Sequence, residues 1–271
     1  MLALLAILTL ALLLYLPGFL IARALLGAAQ PLDALERHYE RVVAGALLQG
    51  WLALTLAELG VFSAGLHLAL VLLVCAGCAA IAWRRGALPP RRRPKTEGRM
   101  IVSTFVFRPS ALVAHWQMIG FAAVGVLFVL LVARPFEVVL GARDAGVYTN
   151  SGFAIAATGG IVQHDALLQQ LGQDKNSDDA DLRAAAAQAE TNMLGNQNAL
   201  RFIATRLRLS GFQIWFGDLD QGRVVPQFLH LYPAWIALLT SLLGLHGGLL
   251  ATGLLGFLGC LLYTSPSPRD S

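Results

Sequence analysis

The chain has 271 residues, 56% of them hydrophobic and only 13% charged, with a net charge of +4 and a mean hydropathy of +0.64. Too little polar surface is left to cover a water-soluble domain of this size, so the composition excludes that class and predicts an all-α, polytopic transmembrane helical bundle. Three cysteines are too few for a disulfide framework.

In chain order, residues 1–22 carry no charge and predict a first span. Neither a basic leader nor a small-residue cleavage site accompanies them, so the segment to residue 26 is expected to be a retained helix rather than a secretory signal. Residues 42–83 contain a single charge, Glu58, and are long enough for two helices. Gly60, Ser63 and Gly65 supply the turn between spans near 43–60 and 65–83. A carboxylate such as Glu58 at membrane depth is a functional candidate, but this one falls at the outer end of its span, where water reaches it. Cys75 and Cys78 form a C-x-x-C inside the uncharged helix, where small residues serve helix packing better than redox or zinc chemistry.

Residues 84–108 hold Arg84, Arg85, Arg91, Arg92, Arg93, Lys95, Arg99 and Arg108 against one acid, Glu97. By the positive-inside bias this segment is cytoplasmic, as is 23–41, and the turn near Ser63 is outside. The excess basic charge is anchoring charge, which argues against nucleic acid as a partner. Residues 111–133 and 228–259 are again uncharged, the latter dividing around His246-Gly-Gly248. The total is about six spans in a multi-pass inner (plasma) membrane protein, with residues 134–227 forming a large exoplasmic loop.

That loop is far longer than an ordinary connection, a length that points to function or internal structure. A short helix is expected from Ala145 to Thr158, stopped by Gly159-Gly160, with Asp144 at its N-terminus. Residues 175–208 read as a solvated helix or linker followed by a more apolar helix at 199–209. Residues 211–226 read as a hairpin or an interfacial loop. The acidic cluster Asp178-Asp-Ala-Asp181 has no framing ligands and is assigned no chemistry. His164 and Asp165 fit a surface turn better than a ligand pair.

Two features carry candidate chemistry. Guanidinium forks match phosphate, so Arg143 beside Asp144, and Arg201 with Arg206 and Arg208, are candidates for the phosphate of a lipid-linked donor; the plain alternative is contact with lipid headgroups. Asp218 and Asp220 have D-x-D spacing, a weak metal-ligand candidate without supporting context.

The segments Gly141-Ala-Arg-Asp-Ala-Gly-Val-Tyr148, Gly159-Gly-Ile-Val162 and Val225-Pro-Gln-Phe-Leu-His-Leu-Tyr-Pro-Ala-Trp235 together resemble GT-C glycosyltransferases, in particular the ArnT-like and RgtA/B/C/D-like group. The resemblance covers about residues 118–259. It implies transfer of a sugar from a polyprenyl-phosphate donor to a lipid or cell-envelope glycan acceptor on the exoplasmic face. An aspartate in the first large outer loop of that family is catalytic base or metal ligand, and Asp144 is the matching residue. A carboxylate in hydrogen-bond reach of an acceptor hydroxyl takes its proton as the hydroxyl attacks. The plain alternative is that Asp144 caps the helix that follows. Tyr148 lies in the same motif, and His230 and Tyr232 match the family's histidine, tyrosine and proline pattern; they are expected at the substrate, against the alternative of an aromatic belt at the membrane edge. No cofactor is demanded, and a divalent metal is the one the resemblance allows. In most relatives the aspartate loop follows the first span, whereas here three further spans precede the one at 111–133 that leads into it.

The chain is therefore expected to comprise an N-terminal membrane module at 1–99, the start of a catalytic core at 100–259, and a non-native tail at 260–271, whose Cys260-Leu-Leu-Tyr-Thr-Ser-Pro-Ser-Pro-Arg-Asp-Ser271 looks like a translated sequencing adapter. An N-terminal fragment of this kind is expected to be inactive alone. The competing class is a non-catalytic polytopic protein, a transporter component or envelope-assembly partner, whose spans would carry polar, discontinuous helices along a path.

Overall fold

In a computed structural model, residues 2–27, 34–88, 123, 144–194, 206–209, 212–215, 221–226 and 228–264 are described. Helix dominates them, in agreement with the all-α expectation. The elements are α1 Leu2–Leu26, α2 Ala34–Glu58, α3 Ala64–Arg84, α4 Asp144–Thr158, β1 Gln163–His164, α5 Ala166–Lys175, α6 Ala180–Leu194, β2 Arg206–Leu209, β3 Phe212–Trp215, β4 Arg223–Pro226, α7 Leu231–Leu243, α8 Leu245–Leu249 and α9 Ala251–Thr264. Among the described residues one helix, α3, is by itself long and apolar enough to cross a membrane. The helix α2 differs from the expected span at 43–60: it starts at Ala34 and its first turns carry Glu36, Arg37, Glu40 and Arg41. At 13 residues, α7 rises about 20 Å against roughly 30 Å of hydrocarbon. The expected span at 111–133 lies, apart from residue 123, outside the described residues.

The chain divides into two compact units. In the unit made of Met1–Gln49, Leu68–Pro135 and Thr252–Ser271, α1 and α2 run antiparallel at very close range. A Cβ on Gly18 would collide with the Arg41 carbonyl, and one on Gly45 with the Leu14 carbonyl. Small residues permit this approach, as they do between helices in membranes. Buried Gln49 donates from Nε2 to the Leu13 carbonyl at 2.8 Å. Around the last turns of α1, Arg41 donates to the Tyr15 hydroxyl at 2.6 Å, and that hydroxyl lies 2.7 Å from His38 Nδ1. Arg23 and Arg41 both lie over the Phe19 ring. Arg85, at the end of α3, donates to the Ala24 carbonyl at 2.6 Å, a cation where the α1 dipole is negative. Gly45→Ala is expected to cost about 1–3 kcal/mol, since a carbonyl carbon and oxygen cannot rotate away from the added methyl; thermal unfolding in detergent measures it.

The second unit comprises Gly50–His67 and Phe136–Ala251. Ser63 caps α3, its Oγ accepting from the Leu66 N–H at 3.2 Å, so the turn between α2 and α3 falls where the sequence puts it. Helix α4 has the expected extent and stops at Gly159, whose φ of 83° suits glycine. The loop that follows is not purely helical. Its strands form a four-stranded antiparallel sheet in the order β1-β4-β3-β2. The expected helix at 199–209 is corrected here: Arg206–Leu209 pairs with Phe212–Trp215 as a two-residue hairpin, Leu209 opposite Phe212. Alternating Arg206-Leu207-Arg208-Leu209 has the period of a strand, not of a helix. The break in the last apolar run also moves, from His246-Gly-Gly248 to Gly244, which takes φ 77°.

Candidate functional site

The site is built on the packing of α4 against α7. Gly152 makes it possible: a Cβ there would lie 2.5 Å from Ile236 Cβ and 3.0 Å from the Pro233 carbonyl oxygen. One turn earlier in each helix, the Tyr148 ring meets Tyr232 edge-on at 5.4 Å between centroids and Phe228 at 5.1 Å. Contacts between 148 and 232 and between 152 and 236 mean that the two helices run parallel, with their N-terminal ends together. Pro233 sits in the first turn of α7, where its missing N–H costs nothing. The seven consecutive residues Pro233 to Leu239 are buried, so two turns of α7 are covered on every side. Two co-directed helix dipoles therefore present positive ends at the same place, which favours negative charge there.

Two of the residues singled out in the sequence meet at this end, and a third immediately precedes α7 in the chain. Tyr148 and Tyr232 touch, and half-buried His230 immediately precedes α7, its Nε2 3.4 Å from the Pro226 carbonyl. Asp144 is the first residue of α4, one turn before Tyr148. Arg143, Arg201, Asp218 and Asp220 lie outside the described residues. Among the described residues no group of three or more His, Cys, Asp or Glu side chains could hold a metal ion.

Two participants were not legible beforehand. Phe228 joins the aromatic group, and Ser151, on the same α4 face as Tyr148 at i+3, is fully buried with no hydrogen-bond partner for its Oγ among the described residues. Helical spacing from Tyr148 points to Ser151; nothing local in the sequence points to Phe228.

Elsewhere the polar candidates resolve into structure. Asp165 Oδ1 accepts from the Leu168 N–H at 3.1 Å, capping α5, while its own N–H donates to the Gly222 carbonyl at 2.8 Å. His164 is exposed on β1 opposite Arg223. Asp179 caps α6 through the N–H groups of Asp181 and Leu182. Glu58 is exposed at the end of α2. Asp165→Ala is thus expected to lower stability by about 1 kcal/mol without changing the activity proposed below, a pairing that thermal unfolding and a transfer assay on the same sample would check.

The two ends of α4 have different surroundings. At its C-terminal end the Phe62 N–H donates to the Gly159 carbonyl at 2.9 Å and the Ile161 N–H to the Ala57 carbonyl at 3.2 Å. At the opposite end, α7 lies beside Gly50 of α2: a Cβ on Gly50 would stand 2.6 Å from Trp235 Nε1 and 3.2 Å from Leu231 Cδ1.

The chain matches no protein-family model, no curated protein and no solved structure.

Proposed function

We propose that the chain is part of a membrane-embedded glycosyltransferase of the GT-C type, crossing the inner membrane about six times and passing a sugar from a polyprenyl-phosphate donor to a lipid or cell-envelope acceptor on the exoplasmic side. The observation that carries this reading is the meeting of Tyr148, Tyr232 and Phe228 where α4 opens at Asp144 and α7 opens after His230. These residues come from segments distant in sequence, and all but Phe228 are ones that the family resemblance selects.

In the proposed reaction Asp144 accepts the proton of the acceptor hydroxyl as its oxygen attacks the anomeric carbon, and the phosphate of the carrier lipid leaves with the bonding pair. Arg143 and Arg201 offset the phosphate charge, together with the paired helix N-termini. Tyr148, Tyr232 and His230 hold the sugar and its phosphate by ring contact and hydrogen bonds. The resemblance allows a divalent metal, for which Asp218 and Asp220 are the weak ligand candidates. The test is transfer of label from a polyprenyl-phosphate sugar into the lipid fraction by membranes carrying the full reading frame, comparing the unaltered protein with Asp144→Asn.

A further inference from the structure

We infer that one face of the four-stranded sheet is a binding platform for an acidic glycan, with a sugar ring seated at Trp215 and the acidic groups beside it taken by Arg206 and Arg223. The strand register sets these residues in place. Between β2 and β3, Arg206 pairs with Trp215 and Arg208 with Gln213; Gln213 pairs in turn with Val225 of β4, and Arg223 of β4 with His164 of β1. Paired residues of an antiparallel sheet share a face, and neighbours along a strand alternate between faces. Counting on from the pair Gln213 and Val225 brings Trp215 level with Arg223. A row Arg206, Trp215, Arg223, His164 therefore crosses all the strands in the order β2-β3-β4-β1. Arg208 lies on the same face, one row along. Leu207, Leu209, Phe212 and Ile214 fall on the opposite face, with Val224 and Pro226.

Burial identifies which face meets solvent. On β4, Arg223 is exposed while Val224 and Pro226 are buried, and on β1 His164 is exposed. The basic face is thus the outer one. The described strands carry three arginines and no acid, and all three arginines are on this face. Asp165, the acid that follows His164, is engaged in capping α5. Strand spacing near 4.8 Å sets positions 206 and 223 about 10 Å apart with Trp215 between them, and positions 206 and 208 about 7 Å apart along β2. An indole offers a flat apolar surface with a hydrogen-bond donor at its rim, which suits the apolar face of a sugar ring. Guanidinium forks on either side suit carboxylate or phosphate groups carried by the neighbouring sugars. A neutral glycan would leave that charge unanswered. A membrane surface fits less well, because insertion needs apolar side chains on the face that makes contact, and here they are gathered on the other one. The platform needs neither the lipid-linked donor nor Asp144, so it goes beyond the transfer reading and stands apart from it.

The test is titration calorimetry on the full chain in detergent micelles with hyaluronan hexasaccharide, in which uronic acids alternate with neutral sugars. Chitohexaose has the same length and no charge, and polyphosphate has charge and no sugar rings; both are titrated in the same low-salt buffer. The expected result is that the hyaluronan fragment binds, chitohexaose does not, and polyphosphate binds more weakly. Arg223→Ala, at an exposed position, should weaken hyaluronan binding about tenfold, the order of one charge-assisted hydrogen bond. Trp215→Ala should weaken it by a similar factor, while Trp215→Phe, which keeps a ring, retains most of the affinity. Arg183→Ala, equally exposed but on α6, should change nothing. Failure of the hyaluronan fragment to bind overturns the platform, and so does an effect of Arg183→Ala equal to that of Arg223→Ala. Polyphosphate binding as tight as that of the saccharide, with neither weakened by Trp215→Ala, also overturns it, since the sheet is then a general anion surface. If Trp215→Ala does not fold, Arg223→Ala against Arg183→Ala decides alone. Sugar transfer is not measured in this experiment, so its outcome is separate from that of Asp144→Asn.

Discussion

Asp144→Asn is expected to lower sugar transfer by about 10²- to 10⁴-fold, the usual contribution of a positioned general base, while the protein still inserts and accumulates normally. The substitution separates the two roles this residue can hold. As a helix cap, asparagine is about as good as aspartate; the loss of charge at the N-terminal end costs only about 0.3–1 kcal/mol. As a base, asparagine is useless because its amide does not accept a proton at neutral pH. A large fall in rate with little change in thermal unfolding therefore marks the base. Equal amounts of protein, checked by immunoblot, and initial rates of label transfer decide it. A rate within about tenfold of the unaltered protein, less than a general base supplies, would leave Asp144 as a cap and withdraw the mechanism. Asp144→Glu keeps the carboxylate on a longer arm and is expected to fall between the two.

The sequence made some of this architecture legible and hid the rest for identifiable reasons. The apolar pattern after Asp144 and the Gly159-Gly160 stop define α4 because both signals are local, and Gly159 does take the positive φ its role requires. The turn at Gly60 and Ser63 is equally local. Arg206–Leu209 was less plain: four residues with basic and apolar side chains fit a helix end as well as a strand, and the pairing with Phe212–Trp215 decides between them. The glycines of the last apolar run hold the opposite lesson. Gly244 makes the break, while Gly247 and Gly248 stay inside α8, where the chain folds back on α7; a Cβ on Gly247 would stand 2.9 Å from the Leu239 carbonyl oxygen and one on Gly248 3.2 Å from that of Ile236. Glycine serves torsion in one case and close approach in the others, and composition does not distinguish them. The meeting of Tyr148 with Tyr232 and Phe228 is a long-range contact, and only the family resemblance, never periodicity, linked those segments beforehand.

Gly152→Ala is the second large effect expected, because the whole site depends on how closely α4 approaches α7. The added methyl would stand 2.5 Å from both Cβ and Cγ2 of Ile236 and 3.0 Å from the Pro233 carbonyl oxygen. Ile236 is β-branched and fully buried, so its stiff χ1 cannot swing the group aside, and the carbonyl belongs to the α7 backbone. The helices must separate. Overpacking of this kind costs about 1–3 kcal/mol, larger than the roughly 0.5–1 kcal/mol that alanine gains over glycine inside a helix. Gly256→Ala is the matched comparison: it lies in α9 with nothing within 4 Å of a built Cβ, and it is expected to be neutral or slightly stabilising. Separation also carries the first turn of α4 away from Tyr232, so transfer should fall in Gly152→Ala at temperatures where the protein remains folded. Ile236→Val removes one methyl from the crowded side, and the combined variant should recover part of the loss, a coupling that a double-mutant cycle reads directly. If Gly152→Ala instead behaves like Gly256→Ala in thermal unfolding and in transfer, the two helices do not pack through this glycine, and the aromatic meeting that carries the functional reading loses its support.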